Sequence, residues 1–411
     1  MTTSKPNKIK ILHIIKSLGR GGAEMLLPET LKLHDQEKFE FHYIYFLPWK
    51  DQMVSTLETA GGKVTCMPAS NNIKLMQQIG KVKAYIKKNN IQLVHAHLPW
   101  AGFLSRFIYK STSIPVIYTE HNKQERYHKI TFLLNKLTFN WQSAAVAVSK
   151  DVAESIQKNI KPNTSVKTIL NGVNTDYFQR YSLSDLAVSI QSLPLEVEDA
   201  NSFRTGEKAE KKLPFDNGNN VLKEFLKLKQ SNNELLVVGS VAVFRFQKRM
   251  LEWIKVFHEA TQENENLRGV IVGNGPFAEQ MLQLRDELEL HNKLFIPGLQ
   301  TNTKEWFSIM DVFMMSSEFE GLPIALLEAM STGCAVVTTD AGGVKEVVRD
   351  GIDGLMVPVK EWEQLSVKLK GLKDDTLRNK LAEAARLRVV EAFSLRRMVE
   401  ELEMLYNQSI H

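Results

Sequence analysis

The sequence predicts an α/β protein built from two doubly wound, Rossmann-like domains. Three observations lead there. Short β-branched apolar runs alternate with segments of helical apolar spacing, the rhythm of a parallel sheet with crossover helices. The alternation stops over residues 176–232 and then resumes. The chain has 411 residues, more than the roughly 250–300 that one hydrophobic core serves.

The first half opens with Ile9-Lys-Ile-Leu-His-Ile-Ile15, a strand by its β-branched content, followed by a glycine turn and a helix over 23–34. Further strands are expected at 39–46, 63–67, 91–95, 115–119, 144–148 and 166–170. Helices are expected at 51–60, 73–88, 100–110, 126–141 and 150–159. Residues 176–232 carry Ser182-Leu-Ser-Asp185, Glu196-Val-Glu-Asp199 and Asp216-Asn-Gly-Asn-Asn220, a polar composition that reads as an interdomain linker with an insertion and one helix near 221–229. Strands then recur at 235–243, 269–272, 294–297, 312–315 and 335–338, with helices at 248–263, 276–290, 302–309 and from about Pro323. The end is helical, over 361–372, 374–391 and 394–407. The resulting domain boundaries are 1–175, a linker over 176–232, 233–393, and a C-terminal helix over 394–411. Two such domains in tandem are expected to place a ligand in a cleft, beyond the carboxyl ends of the strands.

A hydrophobic fraction of 43% and a charged fraction of 24% belong to a globular protein, and no apolar run approaches the roughly 18–20 residues of a spanning helix. The N-terminus runs straight into a strand without a signal-peptide core, and Cys66 and Cys334 lie in different predicted domains, so a reducing cytoplasm is the expected location. The net charge of +5 is unevenly spread. Residues 1–175 hold 24 Lys/Arg against 11 Asp/Glu, whereas residues 176–411 hold 28 against 36. The basic half suggests an anionic partner, although a generic solvated surface would also explain it. No nucleic-acid-binding signature accompanies it, so an anionic membrane leaflet or a diphosphate-linked acceptor is the better fit.

The most informative segment is Glu318-Phe-Glu320-Gly-Leu-Pro-Ile-Ala-Leu-Leu-Glu328-Ala-Met. Glu320 falls in a Gly/Pro-containing loop and Glu328 on the helix that Pro323 opens. Asp311-Val-Phe precedes the pair, and Asp340-Ala-Gly-Gly343, Glu346-Val-Val and Asp350-Gly351 follow it. A loop carboxylate and a helix carboxylate beside a Gly-rich turn can hold sugar and ribose hydroxyls by charge-assisted hydrogen bonds. The stretch from Asp311 to Pro358 resembles the donor-binding signature of retaining glycosyltransferases of family 4 (group 1), which have the GT-B fold. The resemblance implies two Rossmann-like domains facing a cleft, with the last helix crossing back to the first. It also implies that Glu320 holds the sugar, that Glu328 holds the ribose, and that Leu322 and Pro323 line the donor site.

Departure of a nucleoside diphosphate requires cations and helix N-termini aimed at it. Phe244-Arg245-Phe-Gln-Lys248-Arg249 lies where the strand at 235–243 meets the next helix. Lys248 matches the family lysine, but Val243 stands where the family has an arginine, leaving Arg245 as a displaced substitute. A solvated helix start would explain the same residues. Gly21 and Gly22, in Lys16-Ser-Leu-Gly19-Arg-Gly21-Gly22-Ala-Glu24, would let backbone N–H groups approach the donor diphosphate. The loop lacks the third glycine of a dinucleotide fingerprint, which argues against a nicotinamide enzyme. Gly273, Asn274 and Gly275 match the nucleotide-side loop of the family, or form a plain strand–helix turn.

His95 and His97 end one strand and His121 the next. Their spacing across two strands could suggest a metal site, but no Cys ligand and no Asp or Glu at fixed spacing supports it. The resemblance makes His121 the sugar-contacting and proton-handling residue, with a core or capping role as the alternative; His97 lines the acceptor side or packs the loop, and His95 is better read as core. Two basic amphipathic stretches, 74–88 and 126–141, suit a membrane interface or ordinary core packing. The reading is a retaining, metal-independent transferase of hexosyl or acetylhexosaminyl type. It would have no cofactor beyond a UDP- or GDP-sugar substrate and would act on a glycan or lipid-linked acceptor at the inner membrane face. A sugar-nucleotide epimerase of the same architecture, or a glycan-binding scaffold weakened at Val243, are the alternatives.

Overall fold

The computed structural model describes residues 8–193 and 213–410. Residues 194–212 of the expected linker over 176–232, with Glu196-Val-Glu-Asp199, therefore lie outside the described residues. The chain divides into two compact units, one comprising 1–172 and 395–411, the other 173–394.

The first unit is a seven-stranded, wholly parallel sheet: β1 (Ile9–Ile14), β2 (Phe39–Tyr45), β3 (Lys63–Cys66), β4 (Leu93–His97), β5 (Val116–Glu120), β6 (Ala144–Ala147) and β7 (Ser165–Thr168). Their order is β3-β2-β1-β4-β5-β6-β7. Every residue of β4, β5 and β6 is buried, as expected for strands covered by helices on both faces. Leu12, Ile14, Val94, Ala96, Val116 and Tyr118 form the centre of one core with Leu104, Ile108, Val152 and Ile156 from the flanking helices.

Helix Leu395–Ile410 belongs to this unit although it is last in the chain. Its buried residues Leu395, Met398, Val399, Leu402, Leu405 and Tyr406 recur at helical spacing. Polar bonds fix its docking. Glu403 accepts from the Asp35 N–H at 2.8 Å and pairs with His34 Nδ1 at 2.8 Å, and the Tyr406 hydroxyl meets His95 Nδ1 at 2.8 Å.

The second unit is a six-stranded parallel sheet: β8 (Leu236–Val241), β9 (Leu267–Val272), β10 (Leu294–Gly298), β11 (Val312–Met315), β12 (Ala335–Thr339) and β13 (Leu355–Val357), in the order β10-β9-β8-β11-β12-β13. Both sheets thus reverse strand order beside their first strand, as doubly wound folds do. Asp311 caps the start of β11 structurally. Its carboxylate takes Lys229 Nζ at 2.7 and 2.8 Å and the Val237 N–H at 2.8 Å. Arg180 donates to the carbonyls of Ser308, Met310, Thr332 and Gly333, satisfying oxygens at the ends of two helices.

Several elements differ from the sequence expectation. The helix expected over 73–88 is two, Asn72–Gln77 and Ile79–Asn89; at the break the Gln78 side chain donates to the Pro68 carbonyl at 3.1 Å. The helix expected over 126–141 shrinks to Lys129–Thr138, because His128 is non-helical (φ −54°, ψ 145°) and its ring accepts from the Ile130 N–H as a cap. Ser182-Leu-Ser-Asp185, read as linker, starts a helix, Leu183–Ser192. The Ser182 hydroxyl accepts from the Asp185 N–H at 3.1 Å, and Leu186 and Ile190, one turn apart, are buried.

Tyr406→Phe leaves His95 Nδ1 buried without its partner. It should destabilise the first unit by about 1–3 kcal/mol in denaturant unfolding, with an unchanged m-value.

Candidate functional site

In the second unit the switch point lies between β8 and β11, which pair at Val238–Val312 and Gly239–Phe313. The loops leaving these two strands carry the sequence-nominated residues. After β8 the chain makes a turn at Phe246–Lys248, then Arg249 takes a left-handed conformation (φ 49°, ψ 48°) and starts helix Met250–Thr261. After β11 it passes through Ser316–Pro323 into helix Ile324–Thr332. Pro323 is the capping residue rather than the first helical one, and no side chain caps either helix.

The two loops are joined by hydrogen bonds. The Ser316 hydroxyl donates to the carbonyls of Lys248 (3.1 Å) and Arg249 (2.8 Å), and the Glu318 N–H donates to Gln247 O at 2.7 Å. At the centre, Lys248 Nζ donates to Glu320 Oε1 at 2.5 Å, and the Ser317 hydroxyl adds a bond to the same oxygen at 2.6 Å. The side chains are 22% and 10% exposed, so the pair is partly desolvated yet reachable. The lysine expected to meet phosphate and the glutamate expected to meet sugar are therefore direct partners.

Around this pair, Glu328 is buried on its helix, just over one turn from the start, and Leu322 is buried in the loop. Arg245 is exposed and makes no side-chain bond among the described residues, while Arg249 donates to the Val359 carbonyl at 2.8 Å. Gly273-Asn-Gly275 is shaped by its neighbour. A side chain at Gly273 (φ +141°) would fall on the Ala242 carbonyl, and one at Gly275 would come within 2.6 Å of the Phe244 backbone. The Phe244 N–H donates to Asn274 O at 3.0 Å, so this turn locks onto the loop that carries Lys248.

The first unit repeats the pattern at its own switch point, between β1 and β4. Gly21 caps helix Gly22–Leu33 with no side-chain bond. In the same loop Lys16 donates to Asn72 Oδ1 at 2.8 Å, and burial and Lys50 lower its pKa. Arg20, which sequence reasoning passed over, has a buried Nη1 with no partner among the described residues.

His13 of β1 is the residue that the sequence reading missed. It is the register partner of His95, and its Nδ1 lies 2.9 Å from Nε2 of His97, the rings stacked at 5.2 Å. His95 is held between the Tyr406 and Thr119 hydroxyls at 2.8 and 2.7 Å. Burial pushes all three imidazoles down, His95 to about 3, so they are neutral near neutral pH. Their ring nitrogens approach within 4.8 Å of one another, a grouping able to hold a metal ion. Hydrogen bonds tie His13 to His97 and His95 to two hydroxyls, while His13 Nε2 is buried without a partner, and no carboxylate or thiolate joins the group among the described residues.

His121 follows β5. Burial lowers its pKa to about 4, and its Nε2 is buried without a partner among the described residues. Glu120 holds its backbone, Oε1 accepting from the N–H groups of His121 (3.1 Å) and Asn122 (3.3 Å). The same buried carboxylate takes the hydroxyls of Tyr118 and Tyr127 and the Gln124 amide, while burial raises its pKa. Arg106, fully buried, sits 4.7 Å over the Tyr118 ring and donates to Asn135 and Gln142.

Two doubly wound units with the nominated loops at their switch points have the architecture of the GT-B fold. Residues 223–388 match the family described as glycosyl transferases group 1, and residues 20–177 match Glycosyltransferase Family 4. The chain belongs to these group 1, family 4 glycosyltransferases and moves a sugar from a nucleotide-sugar donor to an acceptor. It is 22% identical to an Escherichia coli UDP-Gal:α-D-GlcNAc-diphosphoundecaprenol α-1,3-galactosyltransferase, over 98% of each chain. It is 24% identical to the Staphylococcus aureus capsular polysaccharide glycosyltransferase CapH, over 88% of this chain and 90% of the relative. Among solved structures, Anabaena HepE in complex with UDP-glucose superposes with a TM-score of 0.77 at 18% identity, covering 97% of this chain and all of that one.

The depressed histidines set an acid limit. Between their folded values and about 6.5 the unfolded chain binds more protons, so stability is complete above about pH 6.5 and falls as pH drops towards the folded values. Denaturant unfolding between pH 7 and pH 4 should show a loss on the order of several kcal/mol, and His13→Phe should make that slope shallower.

Proposed function

We propose that the protein is a retaining, metal-independent transferase that moves a hexosyl or acetylhexosaminyl group from a UDP- or GDP-sugar to a glycan or lipid-linked acceptor. The observation that carries this reading is the Lys248–Glu320 pair at the switch point of the second sheet. The pair keeps both charges compensated in the absence of donor. When the donor binds, its diphosphate attracts the ammonium, and the first turn of helix Met250–Thr261 adds N–H groups and a favourable dipole. Glu320 then turns to the sugar hydroxyls; both of its side-chain bonds here fall on Oε1. Glu328 takes the ribose hydroxyls. Leu322 and Pro323 shape the approach to the sugar, and Gly273, Asn274 and Gly275 shape the nucleotide side. Arg245, exposed and unengaged, stands in for the arginine that Val243 replaces. In the first unit Gly21 and Gly22 offer backbone N–H groups, His121 offers its unpartnered Nε2 to the sugar, and His97 shapes the acceptor side.

Retention follows from the family resemblance; among the described residues no side chain is placed as an obvious covalent nucleophile, so front-face displacement is the route. The acceptor oxygen attacks the anomeric carbon on the face from which the diphosphate leaves. The carbon–oxygen bond breaks with its electron pair going to the phosphate oxygen, which takes the acceptor proton, yielding an α-glycoside and a nucleoside diphosphate. A lipid-linked acceptor is favoured by the name of the E. coli relative and by the positive charge of residues 1–175. That charge also suits the anionic inner face of a membrane.

Release of UDP or GDP from a panel of sugar nucleotides, with a membrane extract as acceptor and EDTA present, tests the reading. Wild type should turn over one donor fully in EDTA. Glu320→Gln should lower kcat by about 100-fold or more while the donor still raises Tm. Lys248→Ala should lose the donor-dependent Tm shift itself. Wild-type turnover by Glu320→Gln would remove the assignment.

A further inference from the structure

The first unit contains two basic amphipathic stretches, and they pack in opposite senses. In helices Asn72–Gln77 and Ile79–Asn89 the apolar residues Leu75, Val82 and Ile86 are buried in the core. Lysines 74, 81, 83, 87 and 88 are then the solvated face of ordinary packed helices. Helix Lys129–Thr138 is the reverse. Its fully buried positions are polar: Asn135 and Thr138 both accept from Arg106, and Asn135 also donates to Gln124 at 2.6 Å, while Phe132 packs partly buried against the core. Its outward face is apolar, with Ile130 at 62%, Leu133 at 55% and Leu137 at 65% exposed. These positions are three and four apart and share one face. Phe107, 42% exposed on helix Pro99–Ser111, extends the patch and meets the Trp141 ring edge-on at 5.6 Å.

The segment that carries the patch is basic. Between residues 126 and 150 there are four Lys/Arg and no Asp or Glu, and Lys110 reaches 5.6 Å over the Trp141 ring. Lys129 and Lys136 are exposed beside the stripe. An apolar groove on a protein partner would satisfy the leucines but leaves the exposed Lys129 and Lys136 unexplained. An anionic bilayer satisfies both: the stripe enters the boundary between headgroups and acyl chains, the lysines meet lipid phosphates, and the indole lies at the interface.

We infer that the outward face of helix Lys129–Thr138, with Phe107 and Trp141, is the surface on which the protein docks to an anionic lipid bilayer. The inference deepens the proposed lipid-linked acceptor and rests on it. Docking also acts on the site through the helix's inner face. Asn135 bonds to Gln124, Gln124 donates to Glu120 at 2.8 Å, and Glu120 holds the His121 N–H at 3.1 Å. The docked helix and the residue proposed to meet the sugar are thus ends of one buried network.

Flotation of the full chain with phosphatidylglycerol/phosphatidylcholine vesicles, against phosphatidylcholine alone, tests the assignment. Wild type should float with the anionic vesicles, and the bound fraction should fall with added salt. I130S/L133S/L137S should reduce partitioning by about tenfold or more, and K129Q/K136Q by about fivefold per charge. Should the triple variant fail to fold, L133Q/L137Q serves in its place. K81Q/K83Q, on the packed helix, should partition close to wild type. Equal flotation of wild type and the triple variant, or no flotation of wild type, overturns the assignment. Self-association of wild type in sedimentation, abolished by the triple variant without vesicle binding, assigns the patch to a second copy and equally overturns it. The donor-induced Tm shift, read in the same samples, separates the two readings: flotation without any shift removes the catalytic proposal and leaves the docking surface standing.

Discussion

One ion pair organises the second unit. Lys248 and Glu320 come from loops 72 positions apart, brought together because β8 and β11 are neighbours at the point where strand order reverses. A charge-assisted bond of 2.5 Å between partly buried groups is strong but exchangeable, since each side chain keeps some access to solvent. Opposite charges held in contact also spare the site an isolated buried charge while it waits for a ligand. The neighbouring bonds serve this contact. Ser316 and Glu318 tie the two loops, Ser317 orients the carboxylate, and the glycines at 273 and 275 let a third loop press against the backbone at 242–244.

The first unit solves a different problem. Its sheet buries imidazoles at 13, 95 and 97, which is tolerable only if the rings are neutral and hydrogen-bonded. The Tyr406 hydroxyl supplies one of those bonds, so the C-terminal helix completes the polar interior as well as the apolar core. Glu120 and Arg106 are buried with rings and amides around them, and their cost is met by several hydrogen bonds each. That network ends at the backbone of His121, leaving its ring nitrogen unpartnered.

Much of the fold was legible because strands covered on both faces must be near-continuous apolar runs, and 144–148 and 312–315 are such runs. The parts that were not legible have local causes. β13 is three residues at a sheet edge, too short for periodicity to register. Ser182-x-x-Asp185 is as polar as a linker, and only the buried Leu186 and Ile190 distinguish it as a capped helix start. Site residues divided in the same way. Lys248, Glu320 and Glu328 stood out by type and spacing. His13 did not, because its partnership with His97 arises from strand register across 84 positions, which no local pattern encodes.

The most direct measurement is a crystal structure with an intact, slowly hydrolysed sugar nucleotide. The expected result is that Lys248 Nζ has left Glu320 for a diphosphate oxygen, with Glu320 on the sugar hydroxyls and Glu328 on the ribose. A bound donor with the Lys248–Glu320 contact unbroken and both side chains turned from it would contradict the assignment.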